Sequence, residues 1–172
     1  MNILKELQKD FNKSTCDRIV DFIGSDPKRF SLLVDAFLNS EYRITQRAAW
    51  PLSYSVKKHP ELIKPHLKKI ITNLKKPKIH DAVKRNTVRF LQFIEIPKSL
   101  HGIALDNCFQ LLQDKKEPIA IKVFSMTVLG NLAMEYPELK GELIAIIEDQ
   151  MPYGSAGFIS RGKKVLKQLK AD

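Results

Sequence analysis

Hydrophobic positions along this chain recur at helical rather than alternating spacing. In IKVFSMTVLGNL, residues 121–132, Ile121, Ser125 and Leu129 stand four apart and so share one helical face. A small residue between two large ones lets a second helix approach that face closely. The same order of slots occurs at Ile44, Ala48 and Leu52, at Val83, Thr87 and Leu91, and at Phe158, Gly162 and Leu166. The first slot therefore advances by 39, then 38, then 37 residues.

Between these segments lies a second set of amphipathic stretches, each opened by an X-Pro step: Asp26-Pro27, His59-Pro60, Ile96-Pro97 and Tyr136-Pro137. Proline at a first helical position removes no needed donor, so each step marks a helix start. The apolar residues that follow are Leu32, Leu33 and Phe37; then Ile63, Leu67, Ile70, Ile71 and Leu74; then Leu105, Cys108, Leu111 and Leu112; then Leu143, Ile144 and Ile147. No stretch alternates as a strand does. The pattern predicts an all-α chain of helix pairs with a period near 38, the mark of an α-solenoid.

One domain over residues 1–172 is expected, with repeats at about 26–58, 59–95, 96–135 and 136–170. Residues 1–25 form an N-terminal cap, in which Ile3, Leu4, Leu7 and Phe11 make a stripe, Ser14 or Thr15 caps a second helix and Gly24 ends it. Pro51 and Pro65 fall inside predicted helices, where each frees a carbonyl four residues back, so kinks are expected at both.

Leu111-Leu112-Gln113-Asp114, followed by Ile121-Lys122, Ser125, Leu129-Gly130 and Leu132, resembles the L-x-D, V-R, A and L-G-x-L positions of the HEAT repeat family. Val83-Lys84, Thr87, Leu91 and Ile94 match less fully, and the other two copies depart further. The resemblance covers about residues 26–170. It implies a right-handed α-α superhelix of about four helix pairs plus the cap, with the second helices side by side along a concave face. It is almost silent about function.

Composition removes several classes of function. The longest apolar run is LIAII, residues 143–147, too short to span a membrane, and the acid-bearing start MNILKELQKDF does not read as a signal peptide, so a cytoplasmic location is expected. Cys16 and Cys108 lie far apart with no CxxC pattern and read as small core residues. His59, His66, His80 and His101 show no paired spacing for a metal. No cofactor, metal or small-molecule substrate is indicated, and a monomer is expected.

Charge changes the picture more. The net charge is +10, and it is localised: eleven basic residues between Lys57 and Arg89 face only Glu61 and Asp81, and five basic residues after Ser160 face only Asp172. Slot register says where some of this charge points. Two residues after the first slot stand Gln46, Arg85, Val123 and Ser160; six after it stand Trp50, Arg89, Thr127 and Lys164. These two positions are one turn apart on the same face. Trp50, Arg85 and Arg89 are therefore expected to cluster on the inner surface, with Arg47, Lys57 and Lys84 near its edge and Lys164 in the last copy. An aromatic ring beside guanidinium groups offers a platform for a phosphodiester strand or an unstacked base. The alternative is that Trp50 packs between repeats and the arginines pair with acids such as Glu41 and Asp81. A second basic row, Lys64, Lys68 and Lys75, extended by Lys76 and Lys78, is expected opposite the apolar stripe of the Ile63–Leu74 stretch.

Trp50 and Arg89 also resemble the aromatic and arginine of the lesion site in HEAT-like alkylpurine DNA glycosylases. That family needs a carboxylate there, and Tyr54 stands in the turn after Trp50 instead. Gly157 to Lys164 nearly spells a phosphate-binding loop, but Lys164 replaces the metal-binding hydroxyl and no buried strand precedes it, so it reads as a helix start whose amides, with Arg161 and Lys163, could hold an anion. The sequence thus points to a non-enzymatic module with a basic surface for an anionic partner, nucleic acid ahead of an acidic protein segment; a glycosylase relative and a plain protein–protein scaffold are the alternatives.

Overall fold

Ile44, Ala48, Leu52, Val83, Thr87, Leu91, Ile121, Ser125, Leu129, Phe158 and Gly162 are all buried, and Leu166 is half-buried. The slots that define the period are thus the slots that pack. The computed structural model describes residues 1–171. In chain order the helices are α1 (Ile3–Gln8), α2 (Lys13–Ile23), α3 (Pro27–Asn39), α4 (Tyr42–Lys58), α5 (Leu67–Asn73), α6 (Asp81–Leu91), α7 (His101–Gln113), α8 (Ile119–Ala133), α9 (Lys140–Gln150) and α10 (Ala156–Lys170). Short 3-10 turns at Pro60–His66, Lys98–Leu100, Pro137–Leu139 and Met151–Tyr153 complete the described residues, among which no strand occurs.

The chain divides into two compact units, Met1–Asn86 and Thr87–Asp172. In the first, α3 lies against α4, while α1 and α2 cover another side of α4 and the Pro60–His66 turn packs on α3 and α4. Phe30, Leu33, Phe37, Leu52, Ile63 and Leu67 are fully enclosed there. In the second, α8 is surrounded by α7, α9 and α10. That is why its sequence is apolar nearly all round: Ile121, Met126, Val128, Leu129 and Leu132 are buried on several sides of one helix.

The cap behaves as a shortened helix pair, since α2 lies on α4 as α8 lies on α10. Its boundaries follow local chemistry. Asn12, rather than Ser14 or Thr15, caps α2, its side-chain oxygen accepting from Thr15 N at 3.0 Å. Gly24 ends that helix as expected, at φ +49°, with its N–H on Val20 O. Asp26 then caps α3 through Lys28 N and Arg29 N, with Pro27 in the first turn.

The two internal prolines act differently. α4 continues through Pro51. Pro65 instead sits in the Pro60–His66 3-10 turn, and the α-helix starts only at Leu67. A pyrrolidine nitrogen cannot donate, and the ring disfavours an α conformation in the residue before it, so a second proline five residues after Pro60 keeps the stretch in tight turns. Both cysteines are fully enclosed, and burial pushes each thiol up to about 12. Among the described residues no helix is long and apolar enough to cross a membrane, and no cluster of His, Cys, Asp and Glu could hold a metal ion.

Candidate binding face

α4 buries Ile44, Ala48, Leu52 and Val56, and its opposite stripe is open: Arg43, Gln46, Trp50, Tyr54 and Lys57 are exposed. Trp50 and Tyr54 are four residues apart, so their rings meet on one face, centroids 6.3 Å apart and tilted by 56°. Trp50 remains 39% exposed and Tyr54 38%, large values for rings in contact. On its other side Trp50 receives the edge of Phe11, from the turn between α1 and α2, at 6.0 Å and 64°. Three aromatic rings thus form one cluster in the first unit, and two of them are open.

Arg47 explains why Phe11 is there. One of its guanidinium nitrogens donates to Leu7 O at 2.7 Å and to Lys9 O at 2.8 Å, the carbonyls left over at the end of α1. Its Cζ lies 5.8 Å from the centre of the Phe11 ring. The predicted edge residue is therefore engaged in holding α1 to α4, and it positions the aromatic cluster from behind.

The other expected site residues divide between the two units. Arg85 belongs to the first, half-buried on α6, whose start lies beside that of α4 because the Tyr42 and His80 rings meet at 5.7 Å. Arg89 is exposed near the end of α6 and falls in the second unit with the exposed Lys164. Neither arginine makes an ion pair among the described residues; of the acids expected for them, Glu41 and Asp81, the latter lies 3.5 Å from Lys84. Lys57 is exposed in the last turn of α4.

The second basic row is not on one helix. Lys64 lies in the 3-10 turn, Lys68 in α5, and Lys75, Lys76 and Lys78 in the turns that follow α5, with Lys78 at φ +57°. Pro65 accounts for Lys64, which stays in the 3-10 turn, whereas Lys75, Lys76 and Lys78 lie beyond Asn73, where α5 ends. All five are exposed.

In the second unit the anion site expected at the start of α10 is also altered. Ser155 caps the helix, accepting from Phe158 N at 3.3 Å, but Arg161 turns inward. It donates to Thr127 Oγ1 at 2.6 Å and to Gln92 Oε1 at 2.9 Å, while Asn131 donates to Gln92 O and Gln168 to Asn131. The inner face of this unit is a polar ladder from Gln92 through α8 to α10, and Thr127 is part of it.

Sequence reasoning placed Phe11 in the apolar stripe of the cap but missed its contact with Trp50, the anchoring of Arg47 and the Arg161 ladder. A signal for several of these contacts was present. Arg47 meets carbonyls 40 and 38 residues earlier, Asn131 one 39 earlier, and Gln168 and Gln150 carbonyls 38 earlier. Each separation is close to one repeat period, so adding the period to a residue locates its neighbour on the next helix.

These features define an all-α repeat protein in which, within each unit, successive helices pack and bond to one another at one-period spacing. The HEAT repeat domain model matches residues 3–169, and the chain belongs to the HEAT repeat family. The match begins within α1, so the cap is part of the array. No curated protein and no solved structure matches the chain.

Proposed function

We propose that the protein is a non-enzymatic HEAT-repeat binding module that takes an anionic partner on the exposed stripe of α4 with Arg85 of the same unit, nucleic acid being favoured over an acidic protein segment. The observation that carries this reading is the pair of open rings, Trp50 and Tyr54, on the same stripe as Lys57, in a unit that also holds Arg85, which makes no ion pair among the described residues. Flat rings stack on bases of any sequence, and guanidinium groups bind phosphates in a fork. Lys84 adds charge in the first unit, Arg89 and Lys164 are basic positions of the second unit, and Lys64, Lys68, Lys75, Lys76 and Lys78 supply long-range attraction without base readout. Arg47 supports the face from behind.

Binding fits better than base excision. The exposed stripe of α4 from Arg43 to Lys57 carries no carboxylate to stabilise a developing sugar cation. Fluorescence anisotropy with short single- and double-stranded DNA and RNA tests the reading across a salt series. Saturable binding that weakens with salt and is lost in Trp50→Ala/Arg85→Ala supports it. Affinity no tighter than that of an unrelated basic protein, or unchanged in the double variant, rules out the nucleic-acid version.

A further inference from the structure

The second unit contains a cleft of about 430 Å³ where the start of α8, the end of α9 and the start of α10 converge. Ile119 and Tyr153 form its apolar walls, 45% and 91% exposed, over the buried ring of Phe158. The unusual group is Lys122, 7% exposed at the side of this cleft. Its Nζ donates to Gln150 Oε1 at 3.0 Å, and Gln150 Nε2 donates to Leu112 O at 3.2 Å, which fixes the amide with its oxygen toward the ammonium. An ammonium has three donors, and Gln150 Oε1 is its one acceptor among the described residues.

Repeat register shows what is missing. Lys122 follows its first slot as Lys84 follows Val83, and Lys84 has Asp81 one turn before it at 3.5 Å. One turn before Lys122 stands Ile119, and the Met151–Ser155 stretch ahead of α10 has no acid, whereas Asp114 and Glu117 precede α8. Asp114 and Glu117 favour the charged form of Lys122, while burial opposes it more strongly and lowers its pKa. A buried cation held by one amide gains most from a carboxylate brought from outside.

We propose that this cleft binds an acidic peptide segment, whose carboxylate completes the coordination of Lys122 and whose neighbouring apolar side chain rests on Tyr153 and Ile119. Charge balance separates this site from the α4 face. Lys115, Lys122, Glu117 and Asp149 line the cleft with charges of both signs, so there is no field of one sign to hold a phosphodiester backbone, and the incoming carboxylate is recognised by the Lys122 ammonium alone.

The test is titration of the full chain with a labelled hexapeptide containing Glu-Leu, followed by anisotropy and by amide chemical shifts. Saturable binding is expected, with shifts confined to α8, α9, α10 and the Met151–Tyr153 turn. A Gln-Leu peptide, Lys122→Met and Tyr153→Ala each weaken it at least tenfold, and Lys122→Arg retains it within a few-fold. Tyr153 is exposed, so its variant reports on binding even if Lys122→Met disturbs the fold. Trp50→Ala/Arg85→Ala leaves it unchanged, which separates this site from the α4 face. The proposal is overturned by no saturation at millimolar peptide, by equal binding of the Gln-Leu peptide, by full affinity in Tyr153→Ala, or by equal displacement with short DNA.

Discussion

Gly130 on α8 lies so close to Val165 on α10 that a β-carbon placed on the glycine would stand 2.9 Å from the valine Cγ1. The Leu-Gly step of the repeat is therefore a contact between successive inner helices, and the obstacle is a branched side chain with little freedom to move. Helix propensity alone favours Gly130→Ala by about 1 kcal/mol. Overpacking costs about 1–3 kcal/mol and wins. Urea unfolding is expected to show Gly130→Ala destabilised. Gly141→Ala, at an exposed position of α9 with nothing within 4 Å, is expected to be neutral or up to about 1 kcal/mol more stable. Equal effects at the two glycines would refute the close-approach account.

Arg47→Ala removes two charge-assisted bonds to Leu7 O and Lys9 O and leaves those carbonyls to water. The expected loss is about 1.5–3 kcal/mol, measured by urea unfolding. Because Phe11 lies between Arg47 and Trp50, the emission maximum of the protein's one tryptophan is also expected to shift to the red. Arg47→Lys is expected to recover more of the stability than of the spectrum, since an ammonium can also donate to both oxygens but lacks the planar group that lies 5.8 Å from the Phe11 ring. An unshifted spectrum would mean that Phe11 is held on Trp50 by other contacts.

The inner helices were legible in the sequence because one rule governs them: positions i, i+4 and i+8 of Ile121, Ser125 and Leu129 share a face, and the same face is buried in every copy. Gly24 and Asp26-Pro27 were legible because a left-handed end and a capped proline start are local chemistry. The α2 cap was misplaced by two or three residues, because Asn12, Ser14 and Thr15 are all competent acceptors and the choice depends on where the backbone becomes extended. The row of Lys64, Lys68 and Lys75 leaves a single helix at both ends, because Pro65 keeps Lys64 in a 3-10 turn and α5 stops at Asn73, and side-chain periodicity alone shows neither limit. The candidate site was half legible: slot arithmetic located Trp50, but its partnership with Phe11 depends on Arg47 finding the end of α1, a contact with no local trace.

On the α4 face, Trp50→Ala and Tyr54→Ala are each expected to weaken single-stranded DNA or RNA binding by about 1–3 kcal/mol, the usual worth of one stacked base. Arg85→Ala is expected to reduce the slope of log affinity against log salt by about 1, as the loss of one phosphate contact does. The three substitutions are at exposed or half-buried positions, so the midpoint of thermal unfolding is expected to change little. A variant that loses affinity and melting temperature together would point to a packing role instead.

Cys16 and Cys108 are expected to resist a disulfide-exchange reagent at pH 8 in the native protein and to react in full once it is unfolded. Burial raises both thiols to about 12, so almost no thiolate is present, and neither sulfur is open to solvent. The rate of labelling therefore reports local opening. Cys16 in α2 is expected to react before Cys108 in α7, because α2 belongs to the short terminal pair that Arg47 helps to fasten. In Arg47→Ala that difference is expected to widen.

His66 is expected to set part of the acid sensitivity of the first unit. Its ring lies 5.6 Å from that of Phe30, and burial, with a smaller contribution from the Lys69 charge, lowers its pKa from the ordinary 6.5. The unfolded chain therefore takes up a proton on this histidine at a higher pH than the folded one. Well above 6.5 both states hold it neutral and it contributes no pH dependence. As pH falls through 6.5 the unfolded state is favoured, and the loss continues until the lower folded value is passed. Urea unfolding at pH 7.5, 6.5 and 5.5 is expected to show stability falling over this window in the native sequence and falling less in His66→Gln. A variant with the same pH profile as the parent would place the acid sensitivity on other groups.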